Sequence, residues 1–137
     1  MARQGRASDT AYTAEGTSEH GLIVRAGAVR LLVLAGGPDS TVSRIMVTDS
    51  VVKTDRGVGV GSTVGDLRRA HGRVCATLGE GEVVVAAAAI PGIAFATSAA
   101  AAPGGRAALE HDAALVPDSA RITRLWIYDG ETRCGGT

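Results

Sequence analysis

An eight-residue segment occurs twice in this chain of 137 residues. Residues 42–49 align without a gap on residues 122–129, and six of the eight pairs are identical or similar in class. Each copy has the composition of a strand and closes a hairpin, at 21–34 in the first case and at 82–98 in the second. Such a repeat favours a duplicated structural unit.

The rest of the chain predicts a small α+β domain. Short apolar segments between turn residues indicate antiparallel strands, and they lie at 21–25, 29–34, 42–49, 74–78, 82–89, 92–98 and 122–128. The pseudo-repeats then cover about 21–49 and 82–129, with an insertion at 99–118 in the second copy. We expect a single domain over 20–137, an antiparallel meander sheet built from two related three-stranded units, and a poorly ordered segment at 1–19.

One short helix is predicted between the two units, at about 63–71. Ser62 or Thr63 begins it, and Asp66 completes the pattern of a capping box. Gly72 is a natural stop for this helix. A second, weaker helix is predicted at about 106–115, since the following Pro117 ends it.

Alternation along the repeated segments assigns their side chains to two faces. The aliphatic residues Ile45, Val47, Leu125 and Ile127 are expected to face the helix. The other face would carry residue types that are enriched at protein interfaces, namely Arg44, Met46, Arg124, Trp126 and Tyr128. This face is either a binding surface or a surface covered by the N-terminal segment or the insertion at 99–118.

Charge and hydropathy make two classes of partner unexpected. The 14 basic and 14 acidic residues balance, and no block of like charge indicates a nucleic-acid partner or an anionic membrane. Residues 83–105 are uncharged and long enough to span a bilayer. Their alanines contribute little to insertion, however, and Pro91-Gly92 interrupts the segment, so two strands joined by a turn are predicted instead of a membrane span.

Two cysteines, Cys75 and Cys134, permit one disulfide and fit no zinc-ligand spacing. Two unpaired thiols are the commoner outcome for such a pair. No apolar segment follows Arg3 and Arg6, so the N-terminus does not read as a secretory signal. Either the protein is intracellular, or this sequence lacks its export segment. No metal and no cofactor are predicted.

Residues 52–63 read Val-Lys-Thr-Asp-Arg-Gly-Val-Gly-Val-Gly-Ser-Thr, and Leu67 and Gly72 follow. The run resembles a motif of uncharacterised, usually exported bacterial proteins: a strand, Thr-x-x-Gly-Ile/Val-Gly-Val-Gly-Ser-Thr, a short helix with Leu, and a closing Gly. The order of motif, helix and meander is also similar to repeats of β-lactamase-inhibitor-like proteins and small outer-membrane barrel-assembly lipoproteins. The resemblance is good over about 42–98 and loose beyond.

This resemblance implies an exported or envelope-associated binding module and no known reaction. In two-repeat relatives a comparable helix precedes the first meander. Residues 1–20 contain no such helix, so the first repeat looks truncated.

The glycine-rich run before the helix also raises the question of an anion site. A glycine-rich turn that opens a helix presents backbone N–H groups to an anion, which makes Gly59, Gly61, Ser62 and Thr63 weak candidates. The lysine of a phosphate-binding loop is missing, and the carboxylate of Asp66 would repel phosphate. A tight strand-to-helix crossover is the favoured interpretation.

No catalytic signature is recognised, and no catalytic residue is predicted. Asp49 and Asp129 occupy equivalent strand ends, which indicates turn capping more than a carboxylate pair. We therefore expect a non-enzymatic binding or interaction module with an unknown protein partner. The alternatives are a small enzyme with an unrecognised site near Asp49, Asp55 and Ser62, and a subunit of a homo-oligomer that pairs through its outer sheet face.

Overall fold

The described strands of this protein form one antiparallel sheet. The computed structural model describes residues 6–14, 17–27, 29–36, 41–79, 81–101 and 103–128. The elements are β1 (Arg6–Ala14), β2 (Thr17–Ala26), β3 (Val29–Gly36), β4 (Thr41–Val47), α1 (Val64–His71), β5 (Val74–Gly79), β6 (Glu82–Ala87), β7 (Ile93–Thr97), α2 (Gly105–His111), a 3-10 turn (Ala113–Leu115) and β8 (Ile122–Tyr128). The sheet has the order β1-β2-β3-β4-β8-β7-β6-β5. The predicted α+β class with an antiparallel sheet is confirmed.

The sheet differs from the prediction in its N-terminal part. Four strands, not three, lie on each side of the β4–β8 junction. Within the segment at 1–19, for which poor order was predicted, the described residues belong to β1 and the start of β2, which pair as a hairpin. Small and polar side chains gave no apolar signal for β1. A strand at a sheet edge is held mainly by backbone hydrogen bonds, which such side chains do not reveal.

Both predicted helices are present, and capping residues set their limits. Thr63 begins α1: its Oγ1 accepts from the Asp66 N–H at 3.1 Å, and the Asp66 carboxylate accepts from the Thr63 N–H at 2.9 Å. Gly72 ends α1 with a φ of +82°. Instead of continuing to residue 115, α2 stops before Asp112, whose extended backbone and side-chain bond to the Ala114 N–H begin the 3-10 turn.

The main core lies between the helices and one face of the sheet, here called the helix face. Ile45, Val47, Leu125 and Ile127 lie on this face, as their alternation predicts. The helices and the connection after α2 contribute Val64, Leu67, Leu109, Val116 and Ala120 to the same cluster. Each fully buried Leu or Val side chain contributes about 1.5–3 kcal/mol to stability.

The opposite face of the sheet, here called the outer face, carries a smaller apolar cluster. Leu34, Ala94 and Trp126 are buried in it, and Leu32, Met46, Val84 and Tyr128 pack against them with partial exposure. All seven residues belong to strands of the sheet. In the part of the chain that the structure describes, this cluster therefore consists of sheet side chains without a helix.

The repeated segments pair with each other as β4 and β8. Met46 lies opposite Trp126 at the centre of this pairing. Each segment also contains a β-bulge. Ser43 is the extra residue of β4 where it pairs with β3, and Thr123 is the extra residue of β8 where it pairs with β7. The Ser43 hydroxyl donates to the Leu34 carbonyl at 3.1 Å, and the Thr123 hydroxyl donates to the Ala96 carbonyl at 3.3 Å. Such bulges bend a strand and re-aim the residues beyond them.

One edge of the sheet is covered by α2. Arg106 donates from Nε to the Leu78 carbonyl of β5 at 2.9 Å, and the Thr77 hydroxyl donates to the Glu110 carboxylate at 2.5 Å. These bonds occupy groups of an edge strand that would otherwise be open to another chain. The other edge of the sheet is β1.

Candidate functional site

The five residues predicted as a binding surface come together on the two central strands. Arg44 lies opposite Tyr128, and Met46 lies opposite Trp126, in the β4–β8 pairing. Alternation places Arg124 on the same face of β8 as Trp126. Met46, Trp126 and Tyr128 all belong to the outer-face cluster. We call these five residues the outer-face patch.

Trp126 is the buried centre of this patch. Only 2% of it is exposed, although it lies on the face to which the described residues contribute no helix. The guanidinium carbon of Arg44 lies 4.4 Å from the centre of its ring, which is cation–π geometry. Trp126 is therefore the buried part of the patch. The surface available to a partner is formed by three partly exposed side chains, those of Arg44, Met46 and Tyr128.

Arg124 is held in place by two neighbours. Its Nη2 forms an ion pair with Glu82 Oε1 at 2.7 Å, with 29% and 23% of the two side chains exposed. Its Nη1 donates to the sulfur of Met46 at 3.5 Å. The Glu82 carboxylate neutralises this guanidinium, so Arg124 contributes a fixed shape to the patch more than a free charge.

Neither segment considered as a cover lies across the patch in the described residues. The insertion packs on the helix face, where Leu109 and Val116 are buried in the main core. The N-terminal segment extends the sheet as β1 beside β2. At Gly21 of β2 a side chain would meet the Leu34 methyl at 3.0 Å, so Leu34 packs directly against the strand backbone there.

The glycine-rich run uses its backbone donors within the chain. The Gly59 N–H donates to Ser62 Oγ at 3.1 Å, and the Gly61 N–H donates to the Ile122 carbonyl at 2.9 Å. The Ser62 N–H donates to the Gly59 carbonyl, and the Thr63 N–H donates to the Asp66 carboxylate. The N–H groups of all four weak anion-site candidates are thus engaged, which favours the crossover interpretation.

The remaining residues of this motif also have structural roles. The Thr54 hydroxyl lies 2.8 Å from His71 Nε2 at the end of α1 and accepts from the Val58 N–H at 3.2 Å. Gly57 and Gly61 have φ of +83° and +94°, values that glycine adopts without strain. At Gly59 a Cβ would lie 2.5 Å from the Val52 carbonyl oxygen. The motif fixes a loop against α1.

The three residues of the enzyme alternative have separate environments. Asp49 caps its own turn by accepting from the Val51 N–H at 2.9 Å, and Ser62 Oγ accepts from Gly59. Asp55 borders an open cleft of about 440 Å³ that Arg56, Arg69 and His71 also line. Neither Asp49 nor Ser62 lines this cleft, so the structure does not bring the three groups to one reacting atom.

A second cleft, of about 600 Å³, is organised by Arg68 of α1. Arg68 donates to the carbonyls of Ala113 and Val116 at 2.9 and 3.0 Å and pairs with Asp118 at 2.5 Å. These bonds tie α1 to the segment that returns to β8. Arg68 lies in the last turn of α1, where its charge suits the helix dipole. Nothing in the sequence pattern indicates this longer-range contact.

Cys75 of β5 is disulfide-bonded, in contrast to the expected pair of unpaired thiols. The sequence contains one other cysteine, Cys134, which lies outside the described residues. In the described ranges, no helix combines the length and the apolar composition that crossing a bilayer requires.

Comparisons with known proteins identify the fold alone. No protein-family model matches the chain, and no curated protein matches it. The crystal structure of the uncharacterized protein YfeY from Escherichia coli is similar over 90% of this chain and 81% of its own, with a TM-score of 0.58 and 21% sequence identity.

Proposed function

We propose that this protein is a non-enzymatic binding module that takes up a protein partner on the outer-face patch. The observation that carries the proposal is the position of Arg44, Met46 and Tyr128. All three are partly exposed on central strands, around the buried Trp126, on the face without helices in the described residues. Arg, Met and Tyr are enriched at protein interfaces, and Trp and Arg anchors dominate their binding energy.

The fixed geometry of the patch supports binding of a preformed surface. Arg44 stacks on Trp126, and Arg124 is held by Glu82 and Met46. Ordering a free Arg or Met side chain at an interface costs about 0.5–1.5 kcal/mol. Contacts that already order these side chains reduce this cost, so a partner would meet a surface close to its bound form.

An oxidising compartment is the proposed location, either the bacterial envelope or the exterior. The disulfide of Cys75 supports it, because disulfides persist mainly outside the reducing cytosol. The resemblance of residues 52–63 to exported proteins supports the same location.

The test is partner capture by variants of the patch. Immobilised protein is exposed to the envelope fraction of the source organism, and the captured protein is purified and titrated against each variant. Arg44→Ala/Tyr128→Ala should weaken binding at least tenfold. Both side chains are partly exposed, so circular dichroism should show that the variant keeps the fold. The control Arg73→Ala/Leu115→Ala removes one Arg and one large apolar side chain from exposed positions outside the patch, and it should bind like the wild type.

Equal binding by the patch variant and the wild type would contradict the proposal. Light scattering on the same proteins distinguishes the related alternative of a homo-oligomer. If the wild type is a dimer and Arg44→Ala/Tyr128→Ala is a monomer, the partner at this face is a second copy of the chain.

We further infer that the pseudo-repeats at about 21–49 and 82–129 are two copies of one unit. For their last strands, β4 and β8, an offset of 80 residues maps the pair Ile45–Ile127 onto the pair Leu125–Val47, which is also present in the β4–β8 register. The bulge residues Ser43 and Thr123 are equivalent under the same offset. A crystal structure tests this inference: superposing the two units should align Ser43 with Thr123, and a different residue at the position of Ser43 would contradict it.

A further inference from the structure

Two arginines face each other across the β2–β3 hairpin. Arg25 lies directly opposite Arg30, and the β1 register places Arg6 beside Arg25. Position 6 is far from positions 25 and 30 in the sequence, and four residues separate the latter two, so no basic stripe is visible there. The strand register places these three positions in one row.

This arginine pair is exposed and uncompensated. Cβ atoms of directly opposed residues lie about 4.5–5.5 Å apart, and like charges at this spacing are destabilising. Among the described residues, neither Arg25 nor Arg30 forms an ion pair or a side-chain hydrogen bond. Arg124, by contrast, is paired with Glu82. A bound anion would reduce the repulsion between these two positive charges.

The pair lies at an accessible end of the sheet. Only the pair Ala26–Val29 separates it from the hairpin turn, where Gly27 is exposed with a φ of +62°. Alternation places Arg30 on the same face as Leu32, which packs in the outer-face cluster. The site therefore opens toward the outer face at the tip of a hairpin.

We propose that Arg25 and Arg30 bind a phosphate-type oxyanion. Each guanidinium presents a planar fork of donors that matches two oxygens of a phosphoryl group, and two forks on adjacent strands can hold one group from both sides. The phosphoryl group belongs either to a free phosphate ester or to the headgroup of an anionic phospholipid. This inference does not depend on the partner surface around Trp126, since different side chains carry it.

Two probes separate the two sources. Inorganic phosphate is titrated into the full-length protein while the Nε–Hε resonances of the arginines are followed by NMR. Vesicles of phosphatidylglycerol and phosphatidylcholine in equal parts are tested by co-sedimentation, with pure phosphatidylcholine vesicles as the reference. The variants are Arg25→Gln/Arg30→Gln, Arg25→Lys/Arg30→Lys, and the control Lys53→Gln/Arg73→Gln, which removes two exposed charges elsewhere.

The glutamine pair should weaken binding of the effective probe by roughly tenfold or more, because two charge-assisted bonds are lost. The lysine pair should bind with intermediate affinity, since it keeps charge without the fork. The control should bind like the wild type, and Arg25→Gln/Arg30→Gln should melt no lower than the wild type. A response to phosphate assigns a soluble ester, and a response to the anionic vesicles alone assigns a lipid headgroup.

Three results would contradict the proposed site. The first is a wild type that binds neither probe, the second is an Arg25→Gln/Arg30→Gln variant that binds as tightly as the wild type, and the third is a Lys53→Gln/Arg73→Gln control that loses as much affinity as that variant. A lower melting temperature of the glutamine pair would also overturn it, because the two side chains would then serve folding.

Discussion

The guanidinium of Arg44 stacks over the ring of Trp126, 4.4 Å from its centre. These residues lie on neighbouring strands, on the face that carries no helix in the described residues. An arginine side chain therefore covers the aromatic ring, a position that apolar side chains of a second layer usually occupy. A charged side chain can cover an aromatic ring while its donors remain in water. This relationship makes the patch both a small core and a polar surface.

Trp126→Ala should destabilise the protein by about 3–5 kcal/mol, because it empties a buried site on the outer face. Arg44→Ala should cost only about 0.5–2 kcal/mol, the usual strength of a cation–π contact. Urea unfolding followed by circular dichroism measures both, since Trp126 is the sole tryptophan and its fluorescence is lost in the first variant. Trp126→Phe, as a control, should retain most of the stability. A Trp126→Ala variant as stable as the wild type would show that the ring is not part of the fold.

Gly59→Ala should destabilise the loop before α1 by about 1–3 kcal/mol, because the new methyl would press on the Val52 carbonyl, a backbone atom. Gly79→Ala is the matched control: its Cβ would meet nothing closer than 3.9 Å. Thermal unfolding should separate the two variants clearly. Equal melting temperatures would mean that the loop adjusts without cost.

Thr54→Val should cost about 1–3 kcal/mol, since the substitution removes the acceptor of the Val58 N–H and the hydroxyl partner of His71. Thr54→Ser keeps the hydroxyl and should lie much closer to the wild type. Hydrogen exchange gives the local measurement, because the Val58 amide should lose protection in the valine variant alone. Unchanged exchange there would contradict the role assigned to Thr54.

Asp66 should make α1 sensitive to acid. Hydrogen bonds from the Thr63 backbone and hydroxyl, and then from Arg69, lower the pKa of this carboxyl below its usual value of 3.8. A carboxyl whose pKa is lower in the folded state stabilises the protein above pH 3.8 and loses this contribution as the pH falls through the folded value. Unfolding from pH 7 to pH 2 should show a smaller acid loss in Asp66→Asn than in the wild type. Parallel profiles would mean that the carboxylate has no net effect.

Native protein should contain no free thiol, since Cys75 is disulfide-bonded and one other cysteine exists. Alkylation under denaturing, non-reducing conditions followed by mass spectrometry tests this directly. Reduction should lower the free energy of unfolding by about 2–4 kcal/mol, whereas Cys75→Ser/Cys134→Ser should not respond to the reductant. Two alkylated cysteines in protein purified without reductant would contradict the bond.

Local patterns predicted much of this fold. Alternation placed Ile45 and Val47 on the helix face, and the capping residues Thr63 and Asp66 located α1. Both signals act over a few residues, so a single sequence contains them. The face that carries Trp126 was predicted in the same way.

The properties that were not predicted depend on contacts between distant parts of the chain. The burial of Trp126 depends on side chains from neighbouring strands, including Arg44 across its ring, and the arginine pair depends on the register of β2 on β3. The hairpin of β1 and β2 depends on backbone hydrogen bonds, which the polar side chains of β1 do not indicate. Sequence spacing contains none of this information.

The cover that α2 provides over β5 restricts how copies of the chain can associate. Arg106 and Glu110 occupy the carbonyl and hydroxyl groups of that strand, so lateral growth of the sheet is left to the β1 side. In the described residues, α2 therefore hinders the addition of another strand beside β5. If two copies of the chain pair through their strands, the β1 edge is where we expect them to meet.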